Sequence, residues 1–143
     1  MSYLYLPFML QGISMFVDEF YFHEKRKLQL WEKVGHPLDT LSVLICYCYL
    51  IWGADNLTTY IALSAFSCLL ITKDEFVHTK LCEASENWLH SLLFILHPIC
   101  FLGAYLLKKE GQLDFLKIQT LVVLIFMLYQ ALRWSYPWGI KTK

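Results

Sequence analysis

The residues able to do chemistry in this chain fall into two similar blocks. Asp18-Glu19-Phe20-Tyr21-Phe22-His23 is followed by Glu32 and His36, and Asp74-Glu75-Phe76-Val77-His78 by Glu86 and His90. The tripeptide Asp-Glu-Phe recurs after 56 residues, and the later Glu-x-x-x-His after 54. Four of the five histidines belong to these blocks, and the fifth, His97, follows His90 by seven residues. On a helix, residues three, four or seven apart share a face. Glu19 with His23, Asp74 and Glu75 with His78, Glu86 with His90, and His36 with Asp39 are therefore pairs that a helix presents together. Imidazole plus carboxylate is the ligand set of non-haem iron, manganese or zinc, whereas copper(I) and iron–sulfur clusters want thiolates.

The pattern predicts a site for two metal ions, iron in the first reading and zinc in the alternative. Its inner ligands are Glu19, His23, His36, Glu75, His78, Glu86 and His90. Asp18, Glu32, Asp39, Asp74 and His97 stand as further ligands or outer partners. The ligand inventory resembles that of four-helix di-iron carboxylate proteins, in which Glu-x-x-His pairs and further glutamates project from facing helices. Only Glu75-Phe76-Val77-His78 has that spelling, and the His-x-x-x-His and His-x-x-His-His boxes of membrane desaturases and hydroxylases do not occur. A solvated, salt-bridged helix end is the plainer account of any single pair. Three features favour a site: the block recurs, every histidine joins it or shares its face, and its charges follow apolar turns, where a charge is costly.

Elements must exist to hold these groups. The chain has 143 residues, 57% of them hydrophobic and 17% aromatic, with a mean hydropathy of +0.45. A soluble domain of this size has too much surface to hide that apolar fraction, so lipid is its natural solvent. A spanning helix needs about 17–25 mostly apolar residues. The apolar runs predict five short spans, at 4–22, 37–52, 57–78, 86–107 and 115–133. His36-Pro37 reads as the opening of the second, with His36 as cap and the charged stretch 23–35 as connector. Asp55 or Asn56 suits the cap of the third, and Glu83 or Ser85 that of the fourth, which carries Pro98 inside it. Gly111 falls in a polar turn. The expected fold is an all-α integral membrane protein, one transmembrane domain over 1–143. An internal repeat, 4–52 and 57–107, would form two similar hairpins about a pseudo-two-fold axis, with 115–133 as the fifth helix.

Alternation of five spans puts nine of the twelve Lys and Arg residues on the side that carries the histidine blocks. The positive-inside rule then places the site at the cytoplasmic face and the N-terminus outside. Trp31, Trp88, Trp134 and Trp138 suit an interfacial belt. The first apolar run continues into Asp18-Glu19 without a small-residue cleavage site, so it does not read as a cleavable signal. Five cysteines, an odd number, read as small apolar residues. Zero net charge and the lack of a Gly-rich phosphate loop exclude nucleic acid and nucleotide as expected partners. The function expected is a membrane-embedded di-iron oxidoreductase that uses O₂ on a lipophilic small molecule, with an electron donor the sequence does not specify. The alternatives are a zinc-dependent membrane hydrolase, a haem electron carrier, a metal transporter and a non-catalytic membrane subunit.

Overall fold

Five helices carry the fold among the described residues of a computed structural model, which are 2–25, 28–76 and 82–135. No strand occurs among them. Helix α1, Leu6–Val17, follows a 3-10 turn at Ser2–Tyr5 and takes Pro7 in its first turn. There the absent proline N–H leaves no intrahelical bond unmade. The helix does not stop at Val17. It widens into a π turn, Asp18–Phe22, in which the His23 N–H bonds to the Asp18 carbonyl five residues back. His23–Lys25 then closes the run.

Helix α2 is Leu30–Trp52, which corrects the expected start at Pro37. Its opening is set by Glu32, whose carboxylate accepts the Gln29 backbone N–H at 2.9 Å. His36 is thus not a cap but lies in the second helical turn, and Pro37 is inside the helix. The helix tolerates Pro37 because it lacks only the one bond to the Lys33 carbonyl. Much of the supposed connector is therefore helical. Helix α3, Leu57–Ile71, is capped as expected: the Asn56 side chain accepts the Thr59 N–H at 3.1 Å. It tightens into a 3-10 turn at Thr72–Asp74, and Glu75 and Phe76 stay helical beyond it; the expected end at 78 lies outside the described residues.

Helix α4, Ala84–Lys109, runs through Pro98, and its cap position, Glu83, makes no side-chain bond. Gly111 has φ of 75°, a left-handed conformation that glycine adopts without strain, and lets the Gln112 N–H return to the Leu107 carbonyl at 2.9 Å. Helix α5 is Leu113–Ser135. Helices α2, α4 and α5 are long and apolar enough to cross a membrane.

Helix α2 packs chiefly on α5, α1 on α4, and α3 between α2 and α4. At the end away from the histidines the bundle is tight. A β-carbon at Gly103 would meet the Phe8 ring at 3.2 Å, so the missing side chain lets α1 settle on α4. Tyr47, Phe101 and Leu107 are buried beside it, and the Tyr60 hydroxyl donates to the Phe101 carbonyl at 2.8 Å. Cys46 and Cys100 are buried in this core, and the other three cysteines are half-buried. The outer surface is strongly apolar, with Met9, Ile13, Ile118 and Ile125 among the large side chains more than half exposed.

Candidate metal centre

The π turn decides which side chains meet. In an α-helix Glu19 would lie above His23, four residues on. In the wider turn Asp18, five residues back, lies there instead. Asp18 Oδ2 is 3.3 Å from His23 Nε2, and Asp18 Oδ1 is 2.9 Å from His90 Nε2 on α4. One carboxylate thus faces two imidazoles from two helices. Glu86, one turn before His90, completes the group. Asp18, His23, Glu86 and His90 each offer one ligand atom, and these atoms all lie within 4.8 Å of one another. All four are buried, at 8, 1, 2 and 4% exposure respectively.

Four such donors suit a single ion. Metal–ligand distances of about 2.0–2.2 Å put opposing donors roughly 4 Å apart, so the cluster needs only a small contraction. The donor chemistry, two imidazoles and two carboxylates, is that of non-haem iron, manganese or zinc.

Glu19 stands one step behind. It is 1% exposed, and its Oε2 is 3.6 Å from His23 Nδ1, the ring nitrogen opposite the one facing Asp18. Gln130 donates to Glu19 Oε2 at 3.0 Å and the Trp134 indole N–H to Oε1 at 2.6 Å. Thr40 in turn donates to the Gln130 carbonyl oxygen at 2.7 Å. This is the outer carboxylate that commonly orients a ligating histidine. His36 stacks on His23 with ring centroids 4.6 Å apart. Glu32 caps α2. Asp39 pairs with Lys73 at 2.5–2.6 Å. Glu75 is half-buried and outside the cluster. His78 lies outside the described residues, as does the Asp74 side chain.

His97 is not in the cluster. It lies deeper in the bundle, beside a cavity of about 300 Å³ that begins at Asp18 and His90. The cavity continues between α1, α2, α4 and α5, past Met15, Val43, Phe94 and Val123, to Phe8 and Tyr47. From Phe8 to Asp18 is ten residues of helix, about 15 Å.

Trp134 and Thr40 belong to the hydrogen-bonded surroundings of Glu19 and are not singled out by sequence reading. Trp134 reads there as an interface anchor, and Thr40 is one hydroxyl among many. No family model, no curated protein and no solved structure matches this chain.

Proposed function

We propose that this is a multi-pass membrane protein in which Asp18, His23, Glu86 and His90 hold one redox-active metal ion, iron in the first instance, for the O₂-dependent oxidation of a lipophilic molecule. The observation that carries this is the convergence of four buried ligand atoms from two helices at the head of an apolar cavity. A charge or an imidazole inside an apolar bundle is costly unless it is used, and here four such groups meet. Asp18 and His23 come from the first sequence block and Glu86 and His90 from the second, which gives the repeat a purpose: each half supplies one carboxylate and one imidazole.

An oxidative reaction calls for iron or manganese, since zinc has no redox chemistry; a zinc held by four protein ligands is closed, as in structural sites. An ion there would supply redox chemistry with O₂ and electrons from an external donor. The chain's own residues supply the rest. Asp18 holds the two imidazoles at one point, and Glu19, fixed by Gln130 and Trp134, holds the His23 ring. The apolar walls exclude water and admit a lipophilic chain. In the proposed topology the N-terminus is outside and the centre lies near the cytoplasmic face, as the excess of Lys and Arg on that side supports.

The test is to purify the chain in lipid nanodiscs without chelator, measure metal per chain, and follow O₂ uptake with reductant and a membrane lipid extract. About one iron per chain, with O₂ uptake above that of metal-stripped protein, is expected. Stoichiometric zinc without O₂ uptake would replace this reading with a structural zinc site. A metal-free protein would reduce the cluster to a structural polar group built on the Asp18–His90 hydrogen bond.

A further inference from the structure

About 10 Å below the metal ligands, a second polar rung joins α1 to α4. Gln11 and His97 each stand seven residues from their counterparts in the upper rung, Asp18 and His90. Gln11 Nε2 is 3.3 Å from His97 Nδ1, and His97 Nε2 is 3.0 Å from Ser67 Oγ. Ser67 Oγ is 2.6 Å from Ser42 Oγ, which donates to the Asp39 carbonyl at 2.7 Å. The direction of every bond is set from this far end. A carbonyl only accepts, so the single Ser42 proton is spent on it. Ser67 must then donate to Ser42, and His97 Nε2–H to Ser67. In the neutral ring Nδ1 is therefore an acceptor, and Gln11 donates to it. Gln11, which lines the cavity, keeps one N–H and its carbonyl oxygen for something else.

The cavity also has a side entrance. Gly12 and Phe16 on α1 and Val122 on α5 line it and are exposed. Helices α1 and α5 meet through rings at both ends of this stretch, Phe8 on Phe115 (5.4 Å) and Phe20 on Tyr129 (5.2 Å), and have little backbone contact between. A β-carbon at Gly12 would find nothing within 4 Å. A mid-helix glycine is unfavourable against alanine, and no close packing calls for it here; its missing side chain leaves the window open. The surface around the window is the apolar one that would face lipid.

We infer that the cavity takes a single-chain lipid alcohol from the bilayer through the α1–α5 window, and that Gln11 binds its hydroxyl about 10 Å from the end that reaches the metal ligands. A hydroxyl uses both the free N–H and the free carbonyl of Gln11 without bringing a charge into the apolar cavity; an ether or a carbonyl can only accept, and an alkane leaves both unpaired. The roughly 10 Å from Gln11 to the metal-ligand end suits one short acyl chain lying along the cavity. For the fate of the ligand this rests on the metal reading, but its binding does not.

The experiment is native mass spectrometry of the protein released from nanodiscs, with added 1-decanol, 1-methoxydecane or decane, and metal content measured on the same samples. Loss of one buried hydrogen-bond partner is worth about tenfold in retention. Wild type should therefore retain decanol about tenfold over the ether and the alkane. Gln11→Leu should lose the preference yet still retain the ether, which also shows that the cavity is intact. Gly12→Leu should exclude all three while metal content is unchanged. Equal retention of alcohol and ether by wild type, or a preference that survives Gln11→Leu, would overturn the inference. Decanol preference in a metal-free wild type would uphold it and overturn the metal reading alone.

Discussion

The same tripeptide, Asp-Glu-Phe, adopts different windings at its two positions. At 18–20 it enters a π turn, wider than an α-helix, and Asp18 and Glu19 are both buried. At 74–76 only Asp74 belongs to a 3-10 turn, tighter than an α-helix, while Glu75 and Phe76 are helical and Glu75 is only half-buried. The wide turn swings Asp18 rather than Glu19 onto His23 and keeps the helix running into the bundle. The tight turn interrupts the α-helical winding of α3 after Ile71. Identical residues thus acquire different roles from the turn that carries them. The second block contributes its later pair, Glu86 and His90, because α4 packs directly against α1.

This contrast can be broken by substitution. The largest effect belongs to the groups that meet in the cluster. His90→Ala should abolish stoichiometric metal, as measured by elemental analysis. It should also lower stability by about 1.5–3 kcal/mol in the metal-free protein, because the buried Asp18 loses a charge-assisted hydrogen bond while keeping His23 nearby. A smaller effect is expected one step out. Glu19→Gln keeps the shape but removes the charge facing His23 Nδ1, and should weaken metal affinity about 10–100-fold without eliminating binding, as read by competition with a chelator of known affinity. The smallest effect belongs to the second copy of the same residue. Glu75→Gln should change affinity by no more than about twofold, the scale of a substitution away from buried networks. Equal effects at Glu19 and Glu75 would mean that the two blocks are used symmetrically after all.

The sequence carries the broad fold plainly. Apolar runs mark five helices, Asn56 caps α3, and Gly111 turns α4 into α5. It also marks the residue types of the site, since a histidine or carboxylate beside an apolar run announces itself. What it hides is winding. A reading at 3.6 residues per turn selects Glu19 as the partner of His23, and nothing in Asp-Glu-Phe-Tyr-Phe-His signals the extra residue in the turn. The start of α2 is hidden for a related reason. Proline before an apolar run reads as a helix opening, whereas here the carboxylate of Glu32 starts the helix two turns earlier and Pro37 is carried inside. Partners remote in sequence are hidden too: Gln130 and Trp134 lie more than 110 residues from Glu19, and only the packing of the bundle brings them together. Gln11 leaves a trace, an amide within an apolar run, but its partner on α4 is legible only once α1 and α4 are seen side by side.

The central claim is that Asp18 gathers two imidazoles around one ion. Its most direct test is the metal content of wild type and Asp18→Asn, prepared side by side in nanodiscs without chelator. Asparagine keeps the volume and loses the charge. About one ion per chain in wild type and essentially none in the variant is the predicted result. A metal-free wild type, or a variant that holds as much metal as wild type, would contradict it.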